Sequence, residues 1–456
     1  MPASDSSHKG GPSQGGQYFR RKGRKFGRRR FRGEDLAGTQ LNITDLQAMA
    51  LPDLTQLAHD YGLTDYDPNN TKSLIFEILK KNAEKHGHMI ADGVVEITSE
   101  GFGFLRYPQY NYLPCPEDVY ISPSQIKRFG LMTGDSITGQ IRPPKDRERF
   151  FALLKVEAIM KEPPETLGKR IPFEKLTAEH PRERLILEHH PAELTSRVVD
   201  LLCPIGRGQR SLIVAPPRTG KTFMMQNIAR AIEKNYPEII LMVLLIDERP
   251  EEVTDMERTI KGEVIASTFD EKPERHIQVA EIAMERAKRF VESRKHVVIM
   301  LDSLTRLSRA YNNNMPNNGR ILSGGIDAKA LQRPRKFFSS ARNVVEGGSL
   351  TIIATALIET HSRMDEVIFE EFKGTGNMEI YLSRDLSDMR IFPAVNVPSS
   401  GTRKEEILYH PDELRMVNLL RKAMLQLPPV EAYANMLQNL AATDTNAEFL
   451  MGMKYI

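Results

Sequence analysis

Ala215-Pro216-Pro217-Arg218-Thr219-Gly220-Lys221-Thr222 is the stretch on which the fold turns. It lies between a short apolar run at 211–214 and a helically spaced run at 223–232. Strand, tight turn and helix start together make a phosphate cradle. The backbone N–H groups of the turn wrap an anion, and the helix N-terminus adds partial positive charge. In such a cradle Lys221 reaches the β- and γ-phosphates, and the Thr222 hydroxyl binds Mg²⁺. Ala215 stands where the strict pattern has its first glycine. Arg218, Thr219, Gly220, Lys221, Thr222 and Phe223 form the expected ATP-binding loop and its exit.

From residue 196 onward strand and helix patterns alternate. Candidate strands are 211–214, 240–246, 297–301, 350–356 and 378–382, and Ile277, Ala280, Met284, Ala287 and Val291 form one helical stripe. The alternation predicts a parallel α/β sheet. The apolar strand before Asp302 puts a carboxylate at a strand's C-terminal end, where such sheets bind ligands, so Asp302 is a candidate for the Mg²⁺ shell. Asp247-Glu248-Arg249 follows another strand. Glu248 is a candidate to orient or deprotonate the attacking water, and Arg249 to bridge nucleotide and neighbours. The competing reading of either carboxylate is a helix cap or a solvated strand end. Gly206, Arg207, Gly208, Gln209 and Arg210, with Ser211, make a basic turn expected to support the nucleotide site. Phe392 is a candidate to stack on adenine. Arg403, taken alone, reads as a surface arginine.

Residues 41–86 are helical in pattern, with Leu54, Leu57, Ala58 and Tyr61 on one stripe. Thr71 is the expected N-cap of a second helix that buries Leu74, Ile75, Ile78 and Leu79. Lys72, Lys80, Lys81 and Lys85 face either nucleic acid or water. Between 92 and 156 the pattern changes to five short strands between Gly, Pro and Asp turns, which suggests a small barrel. Strand alternation puts Phe102, Phe104 and Arg106 on one face, and Val119 and Ile121 force Tyr120 outward. Together they make a stacking platform for single-stranded bases; the competing reading makes both phenylalanines core residues. Residues 157–195, rich in Pro, Glu and His, read as a linker.

A chain of 456 residues predicts two to three domains. Its 40% hydrophobic and 27% charged content suits a globular protein. The longest apolar run has eight residues, 239–246, too short to span a bilayer. The first residues lack a hydrophobic signal core. Cys115 and Cys203 are the only cysteines, which excludes a disulfide framework and fits a reducing cytoplasm. The net charge of +3 hides an asymmetry: residues 1–33 carry ten Lys/Arg and one Asp, a net of +9 that leaves −6 elsewhere. Tyr18, Phe19, Phe26 and Phe31 lie among those basic residues. Such an arm suits a nucleic-acid backbone, or else serves as a solvated tail.

GFGFLR at Gly101 to Arg106 and DVYIS from Asp118 resemble the paired RNA-binding motifs of cold-shock-type barrels. That resemblance implies RNA contacts at Gly101, Phe102, Gly103, Phe104, Leu105, Arg106, Asp118, Val119 and Tyr120, with Glu148, Arg149 and Phe150 lining the same groove. Over roughly residue 43 to the C-terminus, the ordered set GFGFLR, DVYISPSQI, PIGRGQR, APPRTGKT, LLIDERPEEVTDM, LDSLTRL, EEFKGTGNME and SGTRKEE closely resembles the bacterial transcription termination factor Rho family. The resemblance implies a multidomain α+β and α/β chain. A small helical subdomain (41–90) and a five-stranded oligonucleotide-binding barrel (91–157) would precede a linker (158–195) and a RecA-like ATPase domain (196–456), after a disordered basic arm (1–40). It implies a cytoplasmic homohexamer that threads single-stranded RNA through its centre and releases transcripts from RNA polymerase, with elongation factors as partners. By the same likeness Arg403 is an arginine finger reaching a neighbour's ATP, Arg306 and Lys373 are interface sensors, and Arg320 and Arg363 are pore contacts. Lysine is common in the family at both pore positions; arginine keeps the charge and changes the geometry.

Two rival readings remain. A catalytic subunit of the rotary ATP synthase type shares the Gly-Arg-Gly-Gln-Arg turn and a similar loop, but has no use for a base-stacking barrel. A non-catalytic RNA-binding protein that keeps ATP as a structural ligand has no use for an intact Lys221, Thr222, Glu248 and Asp302.

Overall fold

Five short strands close on themselves between His88 and Ile159. The computed structural model describes residues 40–453 apart from 65, 68–69, 146, 317–322 and 328. The basic arm and Arg320 therefore lie outside the described residues. Strand β1 (Gln40–Asn42) runs parallel to the start of β2 (His88–Ile97). β2, β3 (Gly103–Arg106), β4 (Val119–Ile121), β5 (Ser136–Arg142) and β6 (Phe151–Ile159) form the barrel. The order is β2-β3-β4-β6-β5, and β5 pairs back onto β2. Only the β4–β6 pairing inside the barrel is parallel. Inward residues such as Val95, Leu105, Val119, Ile121 and Phe151 are fully buried. Each contributes about 1.5–3 kcal/mol of apolar burial.

The helices Leu51–Asp60 and Thr71–Glu84 share that core: Leu54, Ala58, Leu74, Ile75, Ile78 and Leu79 pack in one cluster with the barrel interior. The second helix is capped by Asn70, not Thr71; the Asn70 side chain accepts from the Ser73 amide at 3.1 Å. Asn is as good a cap as Thr, and its carboxamide sits one residue earlier.

The expected linker 158–195 is divided. Its first part stays with the barrel, where β6 ends at Ile159 and the turn Pro164–Lys169 packs on it. From Phe173 on it is built onto the larger α/β unit. Phe173 is buried beneath the Arg342 guanidinium, 4.7 Å from its ring centre. β7 (Ala178–Glu179) pairs with a later strand, and β8 (Arg184–Leu185) with β9 (Ile205–Gly206). The main sheet contains β10 (Arg210–Ala215), β11 (Ile240–Glu248), β12 (Glu263–Thr268), β13 (His296–Asp302), β14 (Arg342–Val344), β15 (Ser349–Leu357), β16 (Met378–Tyr381) and β17 (Gly401–Thr402). Its central order is β12-β11-β13-β15-β10-β16-β17, parallel except for β17 at one edge and the β14–β7 pair off β15. Alternate residues of β11 enter two cores: Leu241, Val243 and Leu245 one, Met242, Leu244 and Ile246 the other. Burial on both faces is why this strand reads as an unbroken apolar run.

The barrel is seated on the helix Pro273–Glu292 of the second unit. Gly134 has a φ of +95°, and a Cβ there would meet the backbone of Glu285 and Arg286 at 2.5 Å. Beside it, Arg170 joins Asp135 of the barrel to Glu292 of the helix. The Ala266 amide donates to Asn111 Oδ1 at 2.8 Å. Among the described residues no helix is long and apolar enough to cross a membrane.

Candidate functional site

The loop after β10 is held open for an anion. Arg218 and Gly220 take left-handed φ values of +68° and +84°, and the helix Lys221–Asn235 starts directly after. Thr219 is buried and donates from Oγ1 to the Pro216 carbonyl at 2.8 Å, which closes the turn. The Ser387 hydroxyl donates to the Arg218 carbonyl at 3.2 Å. Phe392 leans over the loop: a Cβ on Gly220 would lie 3.3 Å from its ring, which is 39% exposed. The Tyr433 hydroxyl, on a C-terminal helix, donates to the Pro393 carbonyl at 2.5 Å and so holds the backbone next to Phe392. Thr222 is half-buried, while Phe223 and Arg249 are exposed.

Lys221 Nζ lies between two carboxylates, 3.3 Å from Glu248 and in direct contact with Asp302. Burial opposes the charge on Lys221, but Asp302 and Glu248 outweigh it and hold the ammonium above its ordinary range. Asp302 also accepts from the Thr355 hydroxyl at 2.7 Å. Glu248 is 3% exposed; burial and Asp302 push its carboxyl up to about 7, against the pull of Lys221 and Arg306. Arg306, in the helix Leu304–Asn313, sits 3.5 Å from both Glu248 and Asp247. A buried ammonium flanked by acids, in a cradle of amides, is suited to phosphate oxygens. An acid titrating near neutrality beside it is suited to proton transfer.

The basic turn lies elsewhere. Gly206 to Ser211 enter β10 at its opposite end, roughly 17 Å along the strand from Ala215. There Arg207 pairs with Glu183 and Glu238, the Gly208 amide donates to Thr351, and Gln209 is buried against Asn377. These residues do not reach the loop of their own chain. Arg403 is at this same end: its amide donates to the Asn377 carbonyl at 2.8 Å, and its side chain is exposed. Arg210 is depressed by burial and by the nearby Arg342 and Arg403 cations. Lys373 is half-exposed, two residues before Thr375, whose carbonyl accepts from Arg210 at 3.0 Å. The structure thus puts Arg306 in its own chain's site and Lys373 and Arg403 far from it.

On the barrel, Phe102, Phe104, Tyr120 and Phe150 form one half-exposed cluster. Ring centres are 5.6 Å apart for Phe102–Phe104, 5.7 Å for Phe102–Tyr120 and 4.9 Å for Phe104–Phe150. A groove of about 660 Å³ runs beside it past Arg142, Glu148, Arg149 and Ser124. Arg106 is not a surface arm of this platform. It is 7% exposed, ion-paired to Glu96 at 2.6 Å and to Asp118, and lies 5.0 Å from the Phe104 ring centre. Alternation set its face correctly, but two carboxylates draw the guanidinium beneath the ring. Leu105, Asp118 and Val119 are buried and do not line the groove. Glu148 is clamped by Arg142, whose hydrogen bond leads in holding its carboxyl down at about 2.

Arg363 is exposed at the start of the helix Arg363–Lys373. The backbone of Gly324 packs on that start. Arg309 joins Asp365 through two 2.7 Å hydrogen bonds, and Asn312 holds Gly325 and Asp327. Arg309 and Asn312 belong to the helix that carries Arg306, a connection the sequence does not announce.

Family models match in three places: the Rho termination factor N-terminal domain over 45–87, the Rho termination factor RNA-binding domain over 91–165, and the ATP synthase alpha/beta family nucleotide-binding domain over 195–402. Transcription termination factor Rho of Pseudomonas fluorescens biotype C is 54% identical over 417 residues, which is 91% of this chain and 100% of that protein. The chain belongs to the transcription termination factor Rho family. The Rho of Escherichia coli strain K12 is 53% identical over the same shares. As a Rho-family member the chain binds RNA, carries an ATPase domain and acts in transcription termination. The ATP-synthase likeness accounts for the loop and turn that suggested a rotary enzyme. Full-length identity to Rho sets that rival aside. The ATPase EscN of the enteropathogenic E. coli type III secretion system shares the fold, with a TM-score of 0.52 at 21% identity over 68% of this chain and 79% of that one.

Proposed function

We propose that the chain is one subunit of a cytoplasmic homohexameric ring, an RNA-stimulated ATPase and 5′–3′ RNA–DNA helicase. It captures nascent RNA on its barrels, draws it through a central pore and releases it from RNA polymerase. The observation that carries this reading is the separation of Lys221 from Arg403. One holds the phosphate loop, while the other stands with Arg210 and Lys373 at the far end of the sheet. A cation exposed there serves a second chain's nucleotide, not its own. Hydrolysis then requires docked neighbours, which ties chemistry to ring geometry.

Within one chain, the loop amides and Lys221 bind the phosphates, Phe392 covers the base and Glu248 orients the water and takes its proton. Thr222 and Asp302 would hold Mg²⁺, whose charge neutralises the transferring phosphoryl group when bound. Arg306 reads Glu248 at one end of its helix, while Arg309 and Asn312 hold the Arg363 and Gly324 segments at the other. That helix is a short lever from the nucleotide to the pore. The test is turnover titrated with single-stranded RNA, with mass measured on the same sample. Strong stimulation of a six-chain species is expected; equal turnover with and without RNA rejects the reading.

A further inference from the structure

The helix Pro273–Glu292 is linked through hydrogen-bonded neighbours to both sites of its own chain. On the barrel side Gln278 Nε2 donates to Glu96 Oε1 at 3.1 Å. Glu96 Oε2 accepts from Arg106 Nε at 2.6 Å, and the Arg106 guanidinium lies against Phe104. On the catalytic side, His276 Nδ1 and Ser267 Oγ are 2.7 Å apart, both residues buried. Ser267 is in register with Ile246 on β11, the strand that ends in Glu248. The Phe269 amide, in the turn before the helix, donates to the Glu248 carbonyl at 3.2 Å. Gln278 and His276 are two positions apart, about 3 Å of helix rise.

We propose that Gln278 is a positioning residue that couples a base stacked on Phe104 to the setting of Glu248 in the same chain. The coupling rests on the RNA-stimulated ATPase reading and adds a route separate from the pore. A base on Phe104 presses on the Arg106 guanidinium beneath. Of the two carboxylates paired to Arg106, Asp118 is tied inside the barrel by the Cys115 amide at 2.9 Å. Glu96, 21% exposed at its side chain, is the partner free to follow, and its other oxygen is held by Gln278. A packed helix answers as a body. A shift at Gln278 is therefore a shift at His276 and Ser267, beside the strand end that carries Glu248. The seat of Gly134 on the Glu285 and Arg286 backbone keeps barrel and helix in step.

Reciprocity makes this measurable: if platform occupancy alters the nucleotide site, nucleotide alters platform affinity by the same factor. The probe is a single-stranded RNA trinucleotide whose capture depends on Phe104, bound to the full assembled protein with and without a non-hydrolysable ATP analogue. In the parent the analogue changes trinucleotide affinity by about fivefold or more. Gln278→Ala cuts that ratio to below about twofold, while analogue-free capture and RNA-free turnover stay at the parent level. Gln278→Glu, which sets a second carboxylate against Glu96 without opening a cavity, gives the same loss. If turnover is RNA-stimulated and both variants keep the parent's ratio, the coupling is wrong and the translocase reading stands. If Gln278→Ala loses capture equally with and without analogue, Gln278 merely props the platform and the coupling is again wrong. A parent that shows no RNA stimulation overturns both.

Discussion

Among the groups at the nucleotide site, Glu248 is the one through which pH is expected to act. Burial and Asp302 push its carboxyl up to about 7, so a large share is protonated just below neutrality. Only the ionised form accepts a proton from water. We expect kcat/KM for ATP to rise with pH through about 7, because that ratio reports the free enzyme. Glu248→Gln removes the limb together with most of the turnover; a variant that keeps the limb assigns it to another group. Lys221→Ala withdraws the cation that Glu248 and Asp302 share, and with it the phosphate contact. Hydrolysis is lost while RNA capture persists, since the platform lies on another unit; unchanged turnover in a phosphate-release assay places the chemistry elsewhere. On that platform Phe104→Ala removes the ring nearest to Phe102, Phe150 and Arg106. Capture weakens by about 1–3 kcal/mol per lost stacked base, read by filter binding. Affinity equal to the parent's makes Phe104 a packing residue.

Elements carry the next level of constraint, and the seat of the barrel is its sharpest case. A methyl at Gly134 meets helix backbone, which cannot step aside as a flexible side chain does, and φ there is +95°. Gly134→Ala is expected to cost about 1–3 kcal/mol in thermal or denaturant unfolding. Gly62, with a similar φ of +78° but open space around it, separates backbone strain from the clash. An equal loss in Gly62→Ala would remove the clash from the explanation. Much at this scale was legible in the sequence. The loop's strand and helix, the barrel alternation and the double-sided apolar strands are periodicities of 2 or 3.6 written by burial. β12 escaped because Glu263 and Thr268 bracket only a few apolar residues, and β14 and β17 because two- and three-residue strands have no period. Positions set by distant partners were illegible too. Glu96 and Asp118 pull Arg106 under Phe104, and Asn377 decides where Arg403 stands. No local pattern tells which end of a sheet an arginine occupies.

At the scale of the whole molecule, a single chain holds two halves of two different sites. Its loop end has amides, Lys221, Glu248 and Arg306; its far end has Arg403 exposed near Arg210, at the end of the sheet where the helix Arg363–Lys373 also finishes. If the halves meet only between neighbours, two inactive variants complement each other. In Arg403→Ala the loop is intact and nucleotide still binds, but turnover falls by about 10³-fold or more, the size of an arginine-finger loss. In Lys221→Ala the loop is dead and Arg403 is intact. Co-assembled from a denatured mixture, the two place an intact loop against an intact Arg403 at some junctions. RNA-stimulated hydrolysis is then expected to exceed the sum of the separate samples, and to fall when the mixture is diluted below the assembly concentration. Arg403 acting on its own chain predicts no gain at any mixing ratio, because every chain then lacks one of its two required groups. The ratio giving most recovery adds a second constraint: a junction needs its loop from one variant and its arginine from the other, so recovery peaks near equal proportions and vanishes towards either pure sample.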